Sequence, residues 1–265
     1  MKLDMDYIVP SPFHGRVFCH IKKHNMAFVV VAKNCSSFLK NLAIHSGNKP
    51  SFRKISKIAV GNYLYYKSVG LGSLLSLSDT ARDIVDSMSK LRNKQELPRD
   101  IIYSLISSEK SDYFIPLSDM QSYEDKNGKV MKFAVWRDPV ERFISSYKYF
   151  CLERNFFNYY RSIGLYDDNS LENFLKYVEF ELTKSNPLFI DVHVRRKVDY
   201  YSVADVDYIV PANKLNKFLM ENGVELNSNK FNETSVNFEL PSKEVEDRIK
   251  GLYQNDYKIK INYGS

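Results

Sequence analysis

The sequence predicts an α/β fold in which helices pack around a central, mostly parallel sheet. Three observations carry that expectation. Two short runs rich in β-branched residues, Ala27–Ala32 and Val130–Trp136, have the unbroken apolar character of strands covered on both faces. Each run passes within a few residues into a segment whose apolar side chains recur at helical spacing. No internal repeat, low-complexity stretch or break in composition divides the 265 residues, a length that one domain, residues 1–265, accommodates.

The elements follow in order. After the strand at Ala27–Ala32 comes the polar stretch Lys33-Asn34-Cys35-Ser36-Ser37, and then Phe38, Leu39, Leu42 and Ala43 mark a helix. Residues 46–79, rich in Gly, Ser and Tyr with weak periodicity, read as surface loops and short strands. Helical patterns return over Thr80–Arg92 and Asp100–Ser107. Asp125-Lys126-Asn127-Gly128 reads as a turn that delivers the chain into the strand at Val130–Trp136.

Asp138 stands at a cap position and Pro139 at the first helical position. They open a helix to about Phe150 with Val140, Phe143, Ile144 and Tyr147 on one face. Ser170 caps a helix reaching about Lys184. Val206–Val210 is a strand followed by a helix over Ala212–Glu221, and the last helix starts at Pro241-Ser242 and ends near Tyr253. Short strands alternating with amphipathic helices are the pattern of a parallel sheet.

Composition narrows the function. With 44% hydrophobic and 26% charged residues the chain is not wholly disordered. The apolar run ending at Ala32 is far short of the roughly 20 residues needed to span a bilayer. The N-terminal MKLDMDYIVPSPFHG has acids where a signal peptide has bases, and no apolar core. A cytoplasmic protein without a membrane span is expected. Cys19, Cys35 and Cys151 are too few and scattered for a disulfide framework or a four-thiolate metal site. Cys19, His20 and His24 find no fourth ligand nearby, so no metal is expected. The net charge of +6 favours anionic ligands but falls well below that of a protein that coats nucleic acid.

Two strand-to-helix junctions hold the chemistry. At Lys33–Ser37, a helix N-terminus with its orphan N–H groups is joined by a lysine and two hydroxyls, a combination suited to phosphate or sulfate. The glycines of the G-x-x-x-x-G-K-[ST] loop are absent, and a serine-capped helix with a solvated lysine is the plainer alternative. At the second junction, Arg137 leaves a strand at its carboxyl end, where open α/β sheets bind ligands, and Ser145 follows about two helical turns on. A guanidinium and a hydroxyl so placed could grip one phosphate, since the planar fork of Arg matches phosphate geometry. Asp138 reads as the helix cap and Arg142 as a partner in a structural salt bridge. Cys35, beside Lys33 and a helix N-terminus, is read either as a reactive thiol or as a small loop filler. The aromatic run from Tyr147 to Tyr160 could stack on a base or sugar ring, or simply pack the core.

These two segments resemble the PAPS-dependent sulfotransferases, specifically the Golgi-type carbohydrate branch that contains the chondroitin/dermatan and heparan 2-O enzymes. The family's 5′-phosphosulfate loop reads Pro-Lys-x-x-[Ser/Cys]-[Thr/Ser], and Ala32-Lys-Asn-Cys-Ser-Ser37 is similar to it, with Ala32 in place of proline. The family's 3′-phosphate motif reads Arg-Asp-Pro-x-x-Arg-x-x-Ser-x-Tyr, and residues 137–147 match it at every specified position. Weaker echoes are His193 before a basic stretch, Phe231–Ser235, and Tyr253-x-x-Asp256-Tyr257. The eukaryotic members carry an N-terminal membrane anchor that is missing here, so a cytosolic, bacterial relative is expected.

The resemblance implies a P-loop-like three-layer α/β/α fold and a sulfuryl transfer from PAPS to a hydroxyl, most naturally on a carbohydrate. In that scheme Lys33 neutralises the bridging oxygen of the departing phosphate, a contribution of about 3–4 kcal/mol if it matches an oxyanion-hole donor. The backbone of Asn34, Cys35, Ser36 and Ser37 and the Ser37 hydroxyl hold the 5′-phosphate, and Arg137 and Ser145 hold the 3′-phosphate. No metal takes part. The acceptor hydroxyl needs a base: His193 is the first candidate, with His45, Glu109, Asp112 and Asp119 as alternatives. The basic stretch at 195–197 is read as contacting an anionic acceptor or as a solvated turn. Two other functions compete, a nucleotide-dependent small-molecule kinase and a non-catalytic binder of polyanions.

Overall fold

The computed structural model describes residues 16–47, 55, 56, 60, 77–93, 113–153, 168–226 and 241–264. Five strands, β1 (Val17–Ile21), β2 (Met26–Val29), β3 (Phe114–Pro116), β4 (Met131–Trp136) and β5 (Tyr208–Pro211), form a mixed sheet in the order β3-β1-β2-β4-β5. Among the described residues the helices are α1 (Ser36–Ser46), α2 (Leu77–Arg92), α3 (Met120–Asn127), α4 (Pro139–Tyr147), α5 (Leu171–Glu181), α6 (Leu215–Glu221) and α7 (Lys243–Leu252). The fold is α/β, as expected.

The sheet is mixed where strand–helix alternation predicts mostly parallel pairing, and β1 is the reason. It reaches β2 through the 3-10 turn Lys22–His24 and Asn25, whose φ of 51° is the left-handed conformation that Asn tolerates. So short a connection can join only antiparallel neighbours. The VFCHI segment shows no period-two alternation because it is buried from Phe18 through Ile21, with His20 inside and its Nδ1 3.0 Å from the Tyr123 hydroxyl. The parallel expectation holds for β4 and β5, paired from Phe133 opposite Tyr208 to Trp136 opposite Pro211.

Local signals place most helices well. Asp138 caps α4, its Oδ1 accepting from the N–H groups of Val140 (2.8 Å) and Glu141 (3.3 Å), with Pro139 next. Ser170 and Ser242 cap α5 and α7 by accepting from Asn173 and Val245. The segment at Asp125–Gly128 is not an isolated turn: α3 runs through Asn127 and stops at Gly128, whose φ of 90° no side chain favours. The helix expected to reach Phe150 continues past Tyr147 as a π-helical stretch, Lys148–Glu153. The helix expected over Asp100–Ser107 and most of residues 46–79 lie outside the described residues. Among the described residues no helix is long and apolar enough to cross a membrane.

The chain divides into two compact units. One comprises residues 1–17, 29–36 and 131–265, and the other 18–28 and 37–130. In the first, Phe143, Tyr147 and Phe150 pack with Phe174, Tyr177 and Val178 of α5 and with Ile249 and Tyr253 around α7. Arg248 on α7 adds ion pairs of 2.9 Å to Glu172 and Glu179 at the surface of α5. In the second unit, buried Glu124 closes the end of α3 by accepting from Val130 N at 3.0 Å.

Candidate active site

The loop between β2 and α1 is built without glycine, yet two of its residues are left-handed: Lys33 at φ 64° and Cys35 at φ 58°. Each costs roughly 1–2 kcal/mol for a side chain with a Cβ. The surrounding first unit imposes this shape through three long-range hydrogen bonds. Asn34, buried between the two strained residues, donates through Nδ2 to Val135 O at 2.8 Å. Arg142 Nε donates to Ala32 O at 3.1 Å, and Arg137 Nη1 to Lys33 O at 3.1 Å. Hydrogen bonds from charged donors stabilise by about 1.5–3 kcal/mol, enough to offset the strain.

Asn34 is thereby engaged by the scaffold. Its N–H closes a turn on Val31 O at 3.3 Å and its amide reaches β4, which leaves the N–H groups of Cys35, Ser36 and Ser37 as the loop's donors toward a ligand. Burial raises the Cys35 thiol above its usual range, outweighing the opposing pull of Arg137, which works against the thiolate form a reactive cysteine needs.

The second junction adjoins the first through Arg137. Its Nε lies 3.4 Å from Glu141 Oε2, a surface pair of little energetic weight, and among the described residues Nη2 has no partner. Ser145 sits half-buried on α4, and its hydroxyl makes no hydrogen bond to the described residues. Arg142 departs from expectation. It is 1% exposed and makes no salt bridge among the described residues, spending its guanidinium on the carbonyls of Ala32 and Val192 (3.4 Å).

That second carbonyl begins the segment that carries His193. Lys33 Nζ lies over the Tyr149 ring, 4.3 Å from its centroid, and the same ring stacks on His193 at 5.1 Å and 25°. Phe150 meets His193 edge-on at 5.2 Å. Two successive residues flank one imidazole because the chain is π-helical here, a local widening frequent at functional sites. Ser146 Oγ donates to His193 O at 2.8 Å, and Asp191 Oδ1 lies 2.9 Å from His193 Nδ1. Burial works against the Asp191 carboxylate, but the His193 ring and hydrogen bonds from His193 and Tyr177 outweigh it and hold it below the ordinary range.

The basic stretch after His193 is neither a solvated turn nor an acceptor contact at two of its three positions. Arg195 and Lys197 are fully buried. Arg195 donates to the carbonyls of Leu188 and Ile190, and Lys197 pairs with buried Asp256 at 3.5 Å beside the Trp136 ring. Burial pushes the Lys197 ammonium down to about 8 despite that carboxylate. Asp256 also accepts from the N–H groups of Lys197 and Val198, Tyr253 donates to Val194 O, and Tyr257 to Asp138 Oδ2. The C-terminal Tyr-x-x-Asp-Tyr echo therefore clamps the His193 segment and the cap of α4.

The structure brings Lys33, Asn34, Cys35, Ser36, Arg137, Ser145 and His193 into the first unit, with Ser37 directly following on α1. His45 lies half-buried on α1 in the second unit, and Asp119 is exposed at the start of α3. Glu109, Asp112 and Phe231–Ser235 lie outside the described residues. Sequence reading missed Asp191, although the Asp-x-His spacing at 191–193 was there to be read, and it placed Tyr149 in the aromatic run without its contacts to Lys33 and His193.

The fold and site together define an α/β protein that gathers basic and hydroxyl-bearing side chains at two strand-to-helix junctions. A profile of the Sulfotransferase family matches residues 16–199, more than half of the chain, and the protein belongs to that family. No curated protein matches the chain, and no solved structure does.

Proposed function

We propose that the protein transfers a sulfuryl group from PAPS to a hydroxyl of a carbohydrate. The observation that carries this reading is the 3.1 Å bond from Arg137 to the carbonyl of Lys33, which joins the two anion-binding junctions into one site. The residues present suit a nucleotide with phosphates at both ends. The loop supplies N–H groups of Cys35, Ser36 and Ser37 and the Ser37 hydroxyl for the 5′-phosphate. Arg137 Nη2 and Ser145 supply a fork and a hydroxyl for the 3′-phosphate. The P-loop-like three-layer arrangement implied by the family resemblance belongs to the same proposal.

PAPS contributes an activated sulfate whose departure places charge on the phosphate side. Lys33 leaves the face of Tyr149 to neutralise that charge, so catalysis is positioning plus electrostatic stabilisation. His193 takes the proton from the acceptor hydroxyl at Nε2. Two residues that touch one aromatic ring thus serve the leaving group and the nucleophile.

Calorimetric titration with PAP beside 5′-AMP and ATP tests the reading. PAP should bind much more tightly than either competitor. Arg137→Ala should remove most of that preference, whereas Lys33→Ala should cut turnover far more than PAP affinity. ATP equal to PAP would transfer the protein to the kinases, and no nucleotide binding would leave a polyanion binder.

A further inference from the structure

We infer that Asp191 is a positioning residue that holds His193 in the tautomer protonated at Nδ1, keeping the Nε2 lone pair for the acceptor hydroxyl. The inference rests on the proposed role of His193 and adds a residue to it. Asp191 Oδ1 accepts twice from the same residue, from the backbone N–H of His193 at 2.7 Å and from its ring Nδ1 at 2.9 Å. An ionised carboxylate can only accept, so the ring nitrogen facing it must carry the proton.

The carboxylate is itself held on its other side. Tyr177 donates its hydroxyl to Oδ2 at 3.2 Å, and the Asp191 N–H donates to Glu181 Oε2 at 2.8 Å. Glu181, 1% exposed, is anchored in turn by Lys184 Nζ at 2.6 Å. Asp191 ionises readily because the His193 ring and the surrounding donors outweigh its burial. A turn at Asp191-Val192-His193 needs only the backbone bond to Oδ1; the ring bond is additional and orients the imidazole between Tyr149 and Phe150.

In the transfer step, the acceptor O–H bond breaks and its proton forms a bond to Nε2. The acceptor oxygen bonds to sulfur, and the sulfur–phosphate oxygen bond breaks with its electron pair leaving on the phosphate. His193 ends as imidazolium against the Asp191 carboxylate, which keeps its charge throughout. The grouping follows the logic of an acid that orients a histidine base.

Nitrogen-15 imidazole spectra of the full chain, at a pH where the ring is neutral, read the tautomer directly, with His193→Gln assigning the signal. The wild type should show His193 protonated at Nδ1. Asp191→Asn keeps the shape but removes the charge, and should shift population to the Nε2-protonated form; Tyr177→Phe should shift it less. An Nε2-protonated wild type, or an unchanged Asn variant, would overturn the inference. A second arm follows PAP release from PAPS with water as acceptor. Asp191→Asn should slow turnover about 10- to 100-fold with PAP affinity unchanged within about twofold. Unchanged turnover overturns the positioning role. Failure of the wild type to bind PAP sinks the donor reading instead, while the spectra still decide the Asp191–His193 pairing.

Discussion

The two strand-to-helix junctions do similar work by opposite means. The backbone of Trp136–Pro139 is locally specified: Asp138 Oδ1 caps its own helix by accepting from Val140 and Glu141, with Tyr257 reaching the other carboxylate oxygen from the C-terminal end. Val31–Ser36 is not. Two side-chain-bearing residues adopt left-handed backbone there, and partners about a hundred positions away hold them. The Trp136–Pro139 junction is written in local preference, and the Val31–Ser36 junction is imposed against it. Strain of this kind persists only where the surroundings over-determine it, and it gathers at ligand-binding loops.

Substitutions at four positions test that contrast. Arg142→Ala should have the largest effect, destabilising by about 2–4 kcal/mol because the carbonyls of Ala32 and Val192 both lose a buried charged donor. Denaturant unfolding and PAP titration should fall together. A stability loss with PAP affinity intact would show that the loop keeps its shape without Arg142. Lysine at 142 should not restore either, since it lacks the planar fork that reaches two carbonyls.

Asn34→Ala should follow at about 1–2 kcal/mol, leaving Val135 O without its donor, and should weaken PAP binding as well. Cys35→Val should cost a similar roughly 1–2 kcal/mol, because a β-branched side chain suits a φ of 58° poorly, whereas Cys35→Gly should be nearly neutral. Equal unfolding midpoints for the Val and Gly variants would remove strain from the account. Asp138→Ala should be the smallest, about 1 kcal/mol for a lost cap, recovered by Asn. If it disturbed PAP binding as much as Arg142→Ala, the two junctions would not be independent.

Legibility in the sequence tracked the same division. The caps at Asp138, Ser170 and Ser242 and the residues of the second junction were readable because a cap is chosen by neighbours three residues away. Strand β1 was not, because a fully buried strand containing His20 carries neither alternation nor an unbroken apolar run. The Arg195–Lys197 stretch was misread for a related reason. Charge in a sequence signals solvent, and only Asp256, nearly sixty positions on, together with backbone carbonyls, makes burial of Arg195 and Lys197 tolerable. Asp191 escaped notice because an Asp two residues before a His is common, and its partners Tyr177 and Glu181 come from another helix.

By itself, then, the sequence determined an α/β chain, the positions of two strand-to-helix junctions rich in basic and hydroxyl side chains, and the residue types that would serve a sulfuryl transfer. Those features depend on spacing and on contacts within a few residues, which a linear order preserves. Tertiary structure alone decided the left-handed backbone at Lys33 and Cys35, the shared Tyr149 ring between Lys33 and His193, and the carboxylate behind that histidine. Each of these opposes or ignores local preference. They exist because packing brings residues 32–35, 137–150 and 191–193 together, and no stretch of chain carries that information alone.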